Sequence, residues 1–394
     1  MALEESDVRK LSVERSEPAW LLEQRLAAFK QFSALQLPSA KDESWKYTSL
    51  RGFDFAKAFA ASGPAKLQMT ATGDSVVCCS LTEAVRKFPE LVRQQCPARH
   101  TYRDKFDALA AAFWSDGYFL QVPDGAQADI HLAISGSGRQ TAVMRNFIIL
   151  GNGAKASFHE ELGMPAGDSQ LAHVSMTETR LAEGSALEAF HFQDWPANVW
   201  DVSFQIATVG KDASLICGFA QFGSATSRLV MDTALAGEGA TADLTGVFLG
   251  SNSQHVDIVT NARHLVPHTS SNILARGVLK DAASGVYRGL IKIEKEAQQT
   301  LSYLADNTLL VGGQAVANSI PSLMIDANDV KASHGATVGQ ADAEQLFYLM
   351  ARGLPQPQAE AILVQGFLEP ALAKIKDQAL RQRCRRLVEE RIVA

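Results

Sequence analysis

Cysteine is scarce in this sequence, and its spacing excludes a metal centre built from this chain's thiolates alone. The chain has 5 cysteines in 394 residues. They are Cys78, Cys79, Cys96, Cys217 and Cys384, and no two of them form a C-x-x-C pair. A stable iron–sulfur cluster normally takes four thiolates, so we expect none bound tightly to the isolated chain. An odd number of widely spread cysteines also argues against a disulfide framework and favours a reducing, cytoplasmic location.

Excess positive charge and long apolar runs are also lacking. The formal net charge is −6 at pH 7, whereas nucleic-acid phosphates select proteins with a basic excess. No window approaches the roughly 18 to 20 apolar residues of a membrane span. The polar N-terminus lacks the apolar segment of a secretory signal. We therefore expect neither nucleic acid nor a membrane among the partners.

The sequence has no phosphate-binding loop. Residues 209–212 contain a Gly-Lys pair but lack the spaced glycines and the Lys-Ser/Thr pair that cradle nucleotide phosphates. We predict that the chain does not hydrolyse nucleotide and is not itself an enzyme. A nucleotide-driven step would then need a bound partner.

The first 116 residues are predicted to form a mostly helical N-terminal region. Apolar residues recur at three- and four-residue steps from residue 1 to 37, where Pro38 ends the pattern. A second helical pattern runs from Leu81 to Trp114, with breaks at Pro89 and Pro97. Between them, residues 45–48 (Trp-Lys-Tyr-Thr) are interpreted as a turn whose rings pack onto the domain.

Residues 117–338 are predicted to form a β-helix core. Helical patterns nearly vanish here, and alternating or continuous apolar runs replace them. A turn signature recurs at Gly153-Ala154, Gly184-Ser185, Asp212-Ala213, Gly239-Ala240 and Glu296-Ala297. The separations are 31, 28, 27 and 57 residues, which fit a repeat of about 28 residues. Such a repeat favours a β-solenoid, with a β-sandwich as the alternative. The terminal strand edges of a solenoid need a cover or a partner chain.

The change from strands to helices near residue 339 carries the main candidate site. An extended segment is predicted to reach a polar turn at His334-Gly335. A helix then begins at Asp342, which forms a capping box with Gln345. Residues 339–394 are therefore predicted to form a helical C-terminal region. His334 is the candidate metal ligand, because neutral imidazole suits iron as well as zinc; a structural histidine is the alternative.

Two other groups of histidines are weaker candidates. His159 precedes Glu160 and Glu161, a sequence that fits either a cation site or an ordinary polar turn. His264 and His268 are four residues apart, but Pro267 between them prevents a shared helical face.

The segments that carry recognisable motifs are residues 45–48, 271–272, 277–281, 289–291, Asn307, 309–310, 329–339, 344–349 and 351–353. They resemble the SufB/SufD family, most specifically between about residues 262 and 370. The chain length, the helical N-terminal region and the His-Gly pair favour the SufD branch of the family over the SufB branch.

The resemblance implies a right-handed parallel β-helix flanked by N- and C-terminal helical regions. It also implies a cytosolic complex with SufB and the ATPase SufC that assembles iron–sulfur clusters. SufC would dock on the helical C-terminal region, and SufB would pair with the β-helix edge. His334 matches a family histidine at the SufB interface, where a transient cluster forms. Ala332 stands where the family often has cysteine, and the family also suggests flavin (FAD) in the complex.

Three functions follow as hypotheses. The first is a scaffold subunit for iron–sulfur assembly that acts only in a complex, with a homodimer through the β-helix edges when isolated. The second is a purely structural partner that never touches iron. The third is a β-helix enzyme acting on polysaccharide, which would need a groove of paired carboxylates that the scattered acidic residues of the core do not suggest.

Overall fold

A computed structural model describes residues 3–59, 63, 65–99, 101–135, 141–167 and 169–393. The helices that precede the solenoid are α1 (Glu5–Glu14), α2 (Ala19–Ala34), α3 (Phe55–Phe59), α4 (Leu81–Lys87), α5 (Pro89–Gln95) and α6 (Lys105–Phe113), with a 3₁₀ turn at Glu43–Trp45. The helices that follow it are α7 (Ala343–Ala351), α8 (Gln356–Leu372) and α9 (Gln378–Val393).

The strands are β1 (Lys66–Thr72), β2 (Val77–Ser80), β3 (Tyr118–Val122), β4 (Gln127–Ser135), β5 (Ala142–Leu150), β6 (Lys155–Gly163), β7 (Leu171–Leu181), β8 (Ala186–Asp194), β9 (Val199–Val209), β10 (Ser214–Gln221), β11 (Thr226–Leu235), β12 (Thr241–Gly250), β13 (His255–His264), β14 (Ser270–Lys280), β15 (Ser284–Ile293), β16 (Thr300–Val311), β17 (Val316–Ile325) and β18 (Val330–Gln340).

The strands form a β-solenoid with two long sheets. The first sheet has the order β1-β4-β6-β8-β10-β12-β14-β16-β18, and the second has the order β17-β15-β13-β11-β9-β7-β5-β3-β2. From β3 onward the chain alternates between the sheets, and the strands that pair within each sheet are parallel. Among the described strands, only β1 and β2 pair antiparallel, β1 with β4 and β2 with β3. The predicted solenoid with helical regions on both sides is confirmed, and the β-sandwich alternative is wrong.

The turn signature found in the sequence marks one corner of the solenoid. Residues at this corner adopt positive φ, which glycine accepts freely and Asn, Asp or His more readily than other side chains. They are Gly125, Gly153, Gly184, Asp212, Gly239, His268 and Gln299. The 57-residue gap in the sequence pattern is therefore two repeats, with His268 at the turn that the pattern missed.

Large and small side chains interlock in the lumen between the two sheets. Phe219 of β10 lies opposite Gly246 of β12 in the register, and Phe248 of β12 lies opposite Gly277 of β14. A Cβ atom on Gly246 would lie 2.0 Å from Cζ of Phe219, and one on Gly277 would lie 2.0 Å from Cζ of Phe248. Each phenylalanine ring therefore occupies the space that the glycine of the next turn leaves empty.

The N-terminal helices cover the outer face of the second sheet. The helical pattern over residues 1–37 is interrupted, which the sequence did not predict: Ser16 takes a positive φ and Pro18 caps α2. Trp45 packs as expected, with its ring 5.5 Å from that of Phe106. Thr48 donates a hydrogen bond to Asp257, which ties the 45–48 segment to the sheet.

The C-terminal helices α8 and α9 pack on the outer face of the first sheet, against residues such as Phe192 and Phe222. Helix α8 continues through Pro370 to Leu372. Within the described ranges, the structure contains no helix long and apolar enough to cross a membrane.

Candidate functional site

His334 lies within β18, the last strand of the first sheet, and not on a turn as the sequence suggested. The parallel register with β16 sets Leu304 opposite His334 and runs unbroken from Val330 to Gln340. Ser333 and Gly335 resemble turn residues in the sequence, but an outermost strand tolerates small residues because only one neighbour must pack against it. The candidate site is therefore on a regular strand at the end of the solenoid.

β17 and β18 are the outermost strands at the C-terminal end of the two sheets, and each pairs with one neighbouring strand only. Their outward-lying backbone groups have no strand partner among the residues that the structure describes. Val316 and Met324 of β17 are 54% and 56% exposed, and Val338 of β18 is 41% exposed. A free edge with exposed apolar side chains is a surface that pairs readily with another strand.

The side chain of His334 belongs to the lumen side of β18. Val330 and Ala332 pack against the lumen core, and side chains two residues apart share a face of a strand. His334 and Ala336 continue that row. His334 is exposed because no further turn covers it, and among the described residues nothing hydrogen-bonds to its imidazole. Its ring nitrogens remain available to a ligand at the open end of the lumen.

Asp306 is a second lumenal residue at this end, which the sequence analysis did not single out. It lies in β16 opposite Ala336 and is 0% exposed. Burial raises the pKa of its carboxyl to about 7, although the hydroxyls of Ser319 and Thr308 lie close enough to oppose this effect. Neither hydroxyl makes a hydrogen bond of ordinary geometry, and both carboxylate oxygens lack a partner among the described residues.

Thiolates are not part of this end of the solenoid. The five cysteines are free, and Ala332 occupies the position on β18 that precedes His334 on the lumen side. Burial raises the pKa of Cys79 to about 11 and of Cys96 and Cys384 to about 12, so these thiols stay protonated near neutral pH. Cys217 is buried in the lumen core.

The candidate cation site at His159 is not formed. Glu160 points into the lumen, 2.6 Å from Nδ1 of His191. Glu161 pairs with Arg383 of α9 instead, and His159 lies 3.2 Å from Asp377. Over the ranges that the structure covers, no group of three or more His, Cys, Asp or Glu residues could hold a metal ion.

His264 and His268 are also kept apart, as the sequence suggested. His264 is buried, with its ring nitrogens 2.7 Å from Oγ1 of Thr269 and 3.0 Å from Oγ of Ser271. Burial lowers the pKa of His264 to about 4, so its imidazole is neutral. His268 is exposed at the solenoid corner.

Helix α7 follows the terminal strand and has Asp342 as its N-cap, as predicted. Among the described residues the Gln345 side chain makes no bond back to the Asp342 backbone, so the predicted capping box is only half formed. The Asp342 carboxylate accepts hydrogen bonds from the backbone N–H groups of Glu344 and Gln345. The helix has no buried residue, and Phe347 is 73% exposed. Helix α7 therefore has an apolar face that none of the described residues buries, beside a cleft of about 840 Å³ between α7 and α8.

Comparison with known proteins identifies related sequences. The family model described as "SUF system FeS cluster assembly, SufBD core domain" matches residues 132–367. A Synechocystis protein described as an iron–sulfur cluster assembly SufBD family protein is 27% identical over 77% of this chain and 65% of its own length. A Staphylococcus saprophyticus protein of the same description is 25% identical over 93% of this chain and 88% of its own length. The iron–sulfur cluster assembly protein SufB of Bacillus subtilis is 28% identical over 68% of this chain.

The extent of these matches differs among the relatives. The match covers 58% of the Bacillus subtilis protein, so this chain spans less than two thirds of the Synechocystis and Bacillus proteins.

Proposed function

This chain belongs to the SufBD family of SUF-system iron–sulfur cluster assembly proteins, and we propose that it is the SufD-like subunit of a SufB–SufC–SufD complex. In this complex the chain is a cytoplasmic scaffold and not an enzyme, and ATP is hydrolysed by the SufC-like partner. The cluster is the product under assembly, held transiently at the interface with a SufB-like chain. The family resemblance also implies flavin in the complex, to which we assign no residue of this chain.

The observation that carries the proposal is the chemistry of the free end of the solenoid. His334 is exposed beside two unpaired strand edges, and Ala332 supplies no thiolate. A chain with an exposed imidazole and no nearby thiol can hold a cluster only if another chain supplies the remaining ligands. Pairing of the free edges with a second solenoid would bring those ligands to His334.

The three units of the chain then have separate roles. We propose that residues 1–116 cover the second sheet and that residues 117–338 form the body that meets the SufB-like chain. Residues 339–394 dock the ATPase. The support for docking is the exposed apolar face of α7, since exposed apolar clusters on a helix are typical of protein interfaces.

The test is His334→Ala in the co-expressed complex, with Ser333→Ala as the matched control on the opposite face of β18. We expect both variants to assemble with their partners and only His334→Ala to lose cluster formation. Cluster formation is measured by absorbance and by the iron and sulfide content of the purified complex. Full cluster formation by His334→Ala would overturn the site assignment. Iron bound equally with and without His334 would favour a purely structural partner.

A further inference from the structure

The buried carboxylate of Asp306 has no role in the assembly chemistry described so far. It lies one strand inward from β18, where its register partner is Ala336, whose side chain is only a methyl group. Both of its oxygens, and the nearby hydroxyl of Ser319, lack hydrogen-bond partners among the described residues. Buried polar groups in native proteins are nearly always paired. An unpaired carboxylate at this position therefore indicates a ligand that the isolated chain does not contain.

The groups that face Asp306 from neighbouring strands carry no positive charge. Tyr287 of β15 uses its hydroxyl in a 2.6 Å hydrogen bond with Thr260. Burial, and in smaller part the Asp306 carboxylate, raises the pKa of Tyr287. Thr308 and Ser319 contribute neutral hydroxyls, and none of the ion pairs within the described ranges includes Asp306. A cation would supply the charge that the surroundings lack.

Asp306 and His334 lie on the same side of two neighbouring strands. His334 is opposite Leu304, two residues before Asp306, and the side chains of Leu304 and Asp306 both point into the lumen. Strands lie about 4.8 Å apart and rise about 3.3 Å per residue, so the two Cα atoms are about 8 Å apart along the diagonal. Side chains at such diagonal positions are close enough to reach a common ligand between them.

We infer that Asp306 and His334 bind one ferrous ion, the metal substrate of cluster assembly, at the open end of the lumen. An imidazole and a carboxylate are ligands typical of iron(II) in proteins. Two protein ligands leave coordination positions free for water, sulfide or groups of the partner chain. This inference rests on the proposed function, because the site is half complete without the SufB-like chain.

The experiment compares four forms of the co-expressed complex: wild type, Asp306→Asn, His334→Ala and the double variant. Asp329→Asn, which removes an exposed carboxylate at the start of β18, is the matched control. Binding of Fe²⁺ is measured by anaerobic equilibrium dialysis, and assembly by size-exclusion chromatography. We expect each single variant to weaken iron binding by roughly 10- to 100-fold or more. The double variant should bind Fe²⁺ only slightly more weakly than the single variant with the lower affinity, because both residues bind the same ion.

A positive readout comes from Asp306→Cys with Co²⁺ as the probe. A thiolate at position 306 in the ion's coordination sphere would add a sulfur-to-cobalt charge-transfer band to whatever absorption the partner's own thiolates give in the wild-type complex. This variant also tests the position if Asp306→Asn assembles poorly. Iron binding by Asp306→Asn equal to wild type, together with no such band, would overturn the inference. A wild-type complex that fails to form or binds no iron would instead count against the proposed function.

Discussion

Glu160 and His191 are hydrogen-bonded inside the lumen, with 2.6 Å between Oε2 and Nδ1. Burial alone would lower the pKa of His191, but its contacts with Cys217 and Glu160 outweigh burial and raise the pKa to about 10. The imidazole is therefore charged at neutral pH, and Cys217 and Glu160 are the groups that stabilise its charge. The pair stabilises the folded state only while both members are present.

Glu160→Gln should destabilise the protein by about 3 to 5 kcal/mol, since it breaks a buried ion pair. Urea unfolding near neutral pH measures the change. Because the folded pKa of His191 is raised, the stability from its charge is complete below about pH 6.5 and is lost as pH rises to about 10. The difference between wild type and variant should therefore shrink over that interval.

The control for this prediction is Glu183→Gln, which removes an exposed partner of Lys211. Exposed pairs contribute little to stability, so its unfolding midpoint should match wild type. A Glu160→Gln midpoint equal to that of the control would show that the lumenal pair is energetically unimportant.

Replacing His264 should change how stability responds to acid. Its folded pKa is about 4, whereas an unfolded histidine titrates near 6.5. The unfolded state therefore binds more protons between these values, and the wild type should lose stability as pH falls from about 6.5 to 4. His264→Gln should lack this part of the loss. His268→Gln, at the exposed corner position, should keep the wild-type profile, and parallel profiles for all three proteins would contradict the expectation.

Phe347→Asp should weaken docking of the ATPase partner without affecting the fold. Phe347 is 73% exposed on α7, so its replacement removes little packing within this chain. Loss of an apolar anchor at an interface typically costs about 1 to 2 kcal/mol or more, which is about tenfold or more in affinity. Titration calorimetry with the SufC-like subunit measures this change in affinity. Val13→Asp, at a residue 75% exposed in α1, should bind as wild type does; equal affinities for both variants would exclude α7 from the interface.

Val338→Lys should reduce pairing through the edge of β18. Charged side chains, lysine above all, are the usual protection of free strand edges against pairing. Light scattering of the isolated chain should show fewer dimers, and less SufB-like partner should co-purify. Ile216→Lys places the same charge on the outer face of the first sheet, away from its edges, and should leave association unchanged. Unchanged association of Val338→Lys would indicate another interface.

The repeat of about 28 residues predicted the solenoid because turns at positive φ restrict which residues fit. Gly153 and Gly184 carry that restriction in the sequence itself. His268 occupies an equivalent corner, but histidine occurs in many other structural contexts, so the sequence did not indicate a turn there. The cap of α7 at Asp342 was predicted for a similar reason: local hydrogen bonding decides it.

The candidate site was predicted only in part. His334 was singled out, but Gly335 beside it wrongly suggested a turn. Glycine fits in β18 because this strand packs against a neighbour on one side only and therefore tolerates small residues. Asp306 gave no signal, since nothing in the neighbouring residues indicates that its carboxylate is buried without a partner. That property depends on β15, β17 and β18, which are brought around it only when the chain folds.

The ring of Phe219 fits into the space beside Gly246, and the ring of Phe248 fits beside Gly277 in the same way. This fit fixes the register of each solenoid turn on the turn before it. A turn that slipped by two residues would keep its apolar face inward, yet it would set a bulky side chain against the ring below. Such a slip is therefore penalised by steric overlap and not by loss of hydrophobic burial. Each turn therefore sets the register of the next one, and the position of β18 and His334 at the end of the solenoid is fixed by the turns before them.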